Sequence, residues 1–191
     1  MALEIERKFL VSGDGWRAQV FKQVPMRHGY LQDVGGRASV RVRLEGRGAG
    51  LADEAHASRQ GGPWVGVLNI KAAVVGAARA EYEYEIPVTD AQEMLDKLCA
   101  GLILKTRHYV RAQADFSAPD ERDSAQALVW EIDEFEGCNA GLVVAEIELT
   151  REDQTFVTPE WLGREVTAER RYYNHALASN PYRDWPLSER N

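Results

Sequence analysis

Much of the chain is written in period two, in short runs where apolar or aromatic residues alternate with charged ones. This is the pattern of strands whose two faces meet different surroundings. Residues 37–45 set Arg41 and Arg43 against Val40, Val42 and Leu44, and residues 79–87 set Arg79, Glu81, Glu83 and Glu85 against Ala80, Tyr82, Tyr84 and Ile86. Runs of this kind predict strands over 2–11, 25–33, 37–45, 63–72, 79–87, 101–115, 125–136 and 141–150. The period becomes helical over 89–99, where Thr89 is the expected N-cap, acids come early, Met94, Leu95 and Leu98 share a face, and Gly101 follows as a stop. Two more helices are expected, over 152–162 and 168–179, the second with an apolar stripe of Tyr172, Tyr173, Ala176 and Leu177 that packs against the sheet. Residues 46–62, rich in glycine, alanine and charge, read as a long hairpin loop.

The charged face is the unusual one. Glu4, Glu6 and Lys8 share a face of the first strand, Asn69 and Lys71 of the fourth, Lys105, Arg107, Tyr109 and Arg111 of the sixth, Glu131 and Asp133 of the seventh, and Glu146 and Glu148 of the eighth. An open antiparallel sheet with one face in water would explain the alternation on any single strand. Solvated faces usually mix in threonine, serine and glutamine, however, whereas here arginines and carboxylates recur in pairs. If the sheet closes on itself, that face becomes a lumen. Burying so many ions without water, metal or an anionic ligand would cost several kcal/mol per ion, so the sequence calls for a wide, wet barrel that holds something charged.

Composition narrows the classes. At 191 residues, one domain spanning 1–191 is expected. The net charge of -7 argues against a nucleic-acid-coating protein, which needs a basic footprint. The apolar runs are too short for a membrane span, and Met1 leads straight into Glu4, Glu6, Arg7 and Lys8 without the apolar stretch of a secretory signal, so a cytoplasmic location is expected. Cys99 and Cys138 have no metal-like spacing and are expected to be free.

Arg41, Arg43, Lys71, Arg107 and Arg79 suit a polyanion, because guanidinium forks match phosphate oxygens. Carboxylate pairs such as Glu4 with Glu6 and Glu146 with Glu148 suit hard cations, magnesium or manganese. A metal-bound polyphosphate would use both sets. Other chemistries lack parts. Gly46, Gly48 and Gly50 are not followed by Gly-Lys-Ser/Thr and form no P-loop, and His28, His56, His108 and His175 lack zinc spacing and read as surface or structural. His28 shares a strand face with Tyr30.

The run Glu4-Ile5-Glu6-Arg7-Lys8-Phe9-Leu10-Val11 closely resembles the opening ExExK signature of the CYTH superfamily, the triphosphate tunnel metalloenzymes. It is joined in order by Arg41-Val42-Arg43, Lys71, Arg79-Ala80-Glu81-Tyr82-Glu83, Lys105-Thr106-Arg107, Glu131-Ile132-Asp133-Glu134-Phe135 and Ala145-Glu146-Ile147-Glu148. Trp161-Leu162-Gly163-Arg164-Glu165-Val166-Thr167 and Arg171-Tyr172-Tyr173-Asn174 look like the C-terminus of small bacterial members. The resemblance implies an α+β fold, an eight-stranded antiparallel β-barrel with a few peripheral helices. It implies that Lys8, Arg41, Arg43, Lys71 and Arg107 bind the triphosphate, that Glu4, Glu6, Glu146 and Glu148 with Asp133 and Glu131 hold Mg2+ or Mn2+ directly or through water, and that Tyr30 acts with Lys8 in catalysis. Arg170, where many relatives have a lysine, is the further phosphate contact the resemblance implies, with a guanidinium fork in place of an ammonium point charge. The expected activity is hydrolysis of the terminal phosphate of inorganic triphosphate, with nucleoside triphosphates as poorer substrates and a homodimer as a guess at assembly. The alternatives are a class IV adenylate cyclase, a thiamine triphosphatase with Trp64 or another aromatic at the tunnel mouth, or a polyphosphate-binding module without turnover.

Overall fold

The alternation becomes nine antiparallel strands: β1 (Ala2–Val11), β2 (Val20–Tyr30), β3 (Ala38–Gly46), β4 (Trp64–Ala72), β5 (Ala78–Ile86), β6 (Leu102–Arg111), β7 (Val129–Glu136), β8 (Val143–Glu148) and β9 (Leu162–Glu165). The structure, a computed structural model, describes residues 2–31, 38–47, 64–72, 78–112 and 128–190, and of residues 2–4 and 78–79 the backbone alone. Residues 48–62 of the expected loop lie outside the described residues.

The strands form one sheet in the order β5-β4-β3-β2-β6-β7-β8-β1-β9, with an additional β5–β1 pairing. This corrects the eight-stranded expectation. There is a ninth strand, and the ends of the main sheet meet over a short stretch in which Ala2, Leu3, Glu4 and Ile5 face Glu81, Ala80, Arg79 and Ala78. Further along β1, Phe9 and Val11 pair with Glu165 and Leu162 of β9. A strand of Leu-Gly-Arg-Glu has no β-branched residue and no alternation, so its pattern does not announce it. The early start of β2 is hidden for another reason: an irregularity between Val20 and Lys22 breaks the period.

The outward face carries two apolar cores. Ile5, Val20, Val110, Trp130, Ile132, Ala145 and Ile147 pack with Trp16 and Trp161 of the connecting segments. Val42 and Leu44 pack with Ala91 and Leu95 of the helix α1 (Val88–Lys97). That helix matches the expected 89–99, but Pro87 takes the N-cap position, with no side-chain cap bond, and Thr89 lies inside the first turn. The expected helix over 152–162 is absent. These residues form turns and extended chain that lay Phe156 and Trp161 over the first core, as β-branched Thr155, Val157 and Thr158 followed by Pro159 favour.

A third core lies on the inward face at one end. Leu10, Ile103, Phe135 and Val144 continue the faces of Lys8, Lys105, Asp133 and Glu146, and they pack with Val166, Tyr172, Leu177, Tyr182 and Trp185 of the C-terminal segment. That segment therefore caps one end of the interior. The helix expected over 168–179 is reduced to a 3-10 turn, Arg170–Tyr172, and a short α2 (Asn174–Ser179). So short a helix is not stable alone and depends on docking. A Cβ at Gly101 would collide with the Ala178 carbonyl, so only glycine lets α2 come this close. Buried Asn139 fastens the segment further by accepting the Tyr182 N–H at 2.7 Å. Cys99 and Cys138 are free. Among the described residues no helix is long and apolar enough to cross a membrane.

Candidate active site

All of β1 to β8 direct side chains into one cavity of about 480 Å3. A flat sheet cannot do this, so the charged face is curled inward. The lining includes the cations Lys8, Arg41, Arg43, Lys71 and Arg107 and the carboxylates Glu6, Glu81, Glu83, Glu131, Glu146 and Glu148. Five cations against six acids make neither a pure anion trap nor a pure cation cage. The cavity suits a ligand that brings both signs, such as a polyanion with a bound cation.

The network beneath Arg107 explains how the cations are held. Arg107 grips Asp133 through two parallel bonds, Nε to Oδ1 and Nη2 to Oδ2, both 2.7 Å, and bonds Glu146 at 2.9 Å and also Glu131. Lys8 Nζ lies 2.5 Å from Glu146. Lys105, fully buried, bonds the second oxygen of Asp133. Burial pulls the Lys105 ammonium down to about 8 even though Asp133 supports its charge. Burial pushes the Glu146 carboxyl up, but the charges of Lys8 and Arg107 outweigh this and hold it well below the usual range. The Asp133 carboxyl is likewise lowered, because Arg107 and Lys105 overcome the cost of burial. The Glu131 carboxyl is raised, because burial exceeds the pull of Arg107.

The opposite wall is built in the same way. Lys71 pairs with Glu81 at 3.1 Å, Arg43 with Glu83 at 3.2 Å and Glu45 at 3.0 Å, and Asn69 donates to Glu81 and Glu83. Arg41 Nε is buried and makes no hydrogen bond to any described residue.

A divalent cation tests the acidic wall differently. Glu6 faces Glu148 across β1 and β8, and Glu131 faces Glu146 across β7 and β8. Like charges directly opposite each other are destabilising unless something positive lies between them. Arg107 serves both members of the second pair. Glu6 and Glu148 both line the cavity, and paired carboxylates are the oxygen donors that a hard cation prefers. Among the described residues no three acid, histidine or cysteine side chains gather into a cage.

The structure therefore brings Lys8, Tyr30, Arg41, Arg43, Lys71, Arg107, Glu6, Glu131, Glu146 and Glu148 to one cavity. Asp133, only 1% exposed, does not line it and instead underlies the cations with Lys105. Arg170 is exposed in its turn and lies outside the lining. The side chains of Glu4 and Arg79, and the whole of His56, lie outside the described residues. Trp64 packs against the core beneath α1, on the outward face, so it is not at the tunnel mouth. Sequence reasoning omitted Ser39, Asn69, Glu81 and Glu83 from the site, although the last three sit on the charged faces it recognised, and it had no period to show that Tyr173, Asn174 and His175 return into the cavity.

The CYTH domain model matches residues 2–179. An inorganic triphosphatase of Acetivibrio thermocellus is 38% identical over 188 residues, 97% of this chain and 99% of that one. An inorganic triphosphatase of Nitrosomonas europaea is 32% identical over 92% of this chain and 96% of its own. A crystal structure of an inorganic triphosphatase, 31% identical, superposes with a TM-score of 0.56 and covers 93% of this chain and 95% of the other. A family match through nearly the whole length, on a sheet whose charged face is turned inward, means that the chain belongs to the CYTH family.

Proposed function

We propose that this protein hydrolyses inorganic triphosphate to phosphate and pyrophosphate inside the curled sheet, with Mg2+ or Mn2+ as cofactor. The observation that carries the reading is the set of five cations, Lys8, Arg41, Arg43, Lys71 and Arg107, gathered with carboxylates around one cavity. Guanidinium and ammonium groups placed together in this way match the oxygens of a polyphosphate. The relatives named inorganic triphosphatase support the choice of substrate.

In this reading Arg41, Arg43, Lys71 and Arg107 hold the three phosphates, and Lys8 neutralises charge on the phosphoryl group being transferred. Tyr30, which lines the same cavity, orients the attacking water. Glu6 and Glu148, with Glu131 and Glu146, would hold the metal. Glu4 is a proposed partner to Glu6 by its place in the sequence, and Arg79 a proposed phosphate contact. Asp133 orients Arg107 and Lys105 in place of binding metal. When bound, the divalent ion supplies charge neutralisation and alignment of phosphate oxygens.

A nucleoside needs a place for its base, and the described lining is charged and polar apart from the rings at the capped end. With ATP the expected products are ADP and phosphate, formed well below the triphosphate rate, with no cyclic AMP. Chromatographic separation of the nucleotides checks this, and cyclic AMP with pyrophosphate would replace the hydrolase reading with a cyclase.

A further inference from the structure

We propose that His175 is a positioning residue, whose imidazole holds the ring of Tyr30 at the capped end of the cavity and links it through Tyr173 to Lys8. The inference rests on the reading of Tyr30 and Lys8 as catalytic residues. His175 is the second residue of the short helix α2 and lines the cavity. Its ring meets that of Tyr30 edge-on, with centroids 6.2 Å apart and planes at 81°, and meets Tyr173 in the same way at 5.8 Å and 78°. Tyr173 in turn takes the Lys8 ammonium over its face at 5.2 Å, and its hydroxyl is anchored to the Thr167 carbonyl at 2.8 Å. Tyr30 also meets His28 edge-on, at 6.0 Å and 84°. Tyr30 thus touches two imidazoles, one from its own strand and one from the cap.

A tyrosine on a strand end needs such restraint. Its terminal torsion is broad, and a misplacement of an ångström at a reacting centre is enough to slow a reaction severely. His28 lies at the i-2 position on the face of Tyr30 and is fully buried, so it supplies a fixed wall. His175 supplies a second contact from an element that docks by other means, through Leu177, Gly101 and Asn139. Removal of the imidazole should therefore loosen Tyr30 without undocking the cap.

The test compares His175→Ala, His175→Phe, Tyr30→Phe and the double variant His175→Ala with Tyr30→Phe, in steady-state hydrolysis of triphosphate with saturating Mg2+. His175→Ala is expected to lower kcat about five- to tenfold, with KM changed by less than about twofold. His175→Phe keeps a ring edge against Tyr30 and should recover most of the rate. In the Tyr30→Phe background the further loss should vanish, since the two residues act as one unit. An unchanged thermal midpoint confirms that the cap stays docked. A loss of the same size in both backgrounds, a failure of phenylalanine to restore it, or a rise in KM alone would overturn the inference. Wild-type kcat in Tyr30→Phe would overturn the reading of Tyr30 together with it. A slow Tyr30→Phe beside an unimpaired His175→Ala would overturn the inference alone.

Discussion

Arg107→Ala is expected to lower triphosphate turnover at least about a hundredfold and to destabilise the protein by about 3–5 kcal/mol near neutral pH. Both effects come from one guanidinium, which lines the cavity while bonding Asp133, Glu146 and Glu131. Its loss leaves Asp133, 1% exposed, and Glu146, 8% exposed, short of countercharge inside the protein. Lysine at this position restores a charge but not the paired grip on Asp133, so Arg107→Lys should recover much of the stability and little of the rate.

The pH dependence of the stability loss gives a sharper check. The Glu146 and Asp133 carboxyls are held low in the folded protein, against the effect of burial, by the cations around them. A depressed carboxyl contributes stability above its unfolded pKa of about 4, and that contribution fades as pH falls through the folded value. Arg107→Ala raises both folded values, so the gap between wild type and variant should be widest near neutrality and shrink in acid below about pH 4. Urea midpoints measured across that range test it, and a gap that stays constant would assign the loss to packing.

The second large effect is expected at the acidic wall. Glu6→Gln with Glu148→Gln should lower turnover about 10²- to 10³-fold, the rate equivalent of several kcal/mol of metal-borne charge stabilisation. The fold should be largely unharmed, because glutamine keeps the size of each side chain and both line the cavity, outside the apolar cores. This combination separates a metal-binding role from a structural one. Triphosphate should still bind, since Arg41, Arg43, Lys71 and Arg107 remain. Calorimetry of triphosphate binding and thermal melts check the two parts, and turnover within a few fold of wild type would remove these residues from the metal site.

The inward face was legible in the sequence because a strand encodes its two faces by parity. Arg41 and Arg43, or Glu146 and Glu148, must emerge together whatever the strand pairs with. Parity does not say how far along the lumen a residue lies. Asp133 shares the parity of Glu131 yet sits against Lys105 below the cavity, because β7 and β8 pair with Asp133 opposite Val144, at the start of the apolar cap. Nor does parity reach the segments without period. β9 is four residues long, and Tyr173 and His175 enter the cavity through a turn and a helix that tertiary docking alone holds in place. Arg170 illustrates the same gap: Tyr173, three positions on, reaches the site, while Arg170 itself is exposed in its turn.

In the proposed reading this cavity hydrolyses triphosphate with the help of a divalent cation. The most direct measurement is to incubate the purified protein with inorganic triphosphate and Mg2+ or Mn2+, with and without excess EDTA, and to resolve the phosphate species by ion chromatography. Phosphate and pyrophosphate formed in equal amounts, and only when the divalent ion is free to bind, is the predicted result. Triphosphate left intact with the ion present, or cleaved equally well in EDTA, would contradict the account.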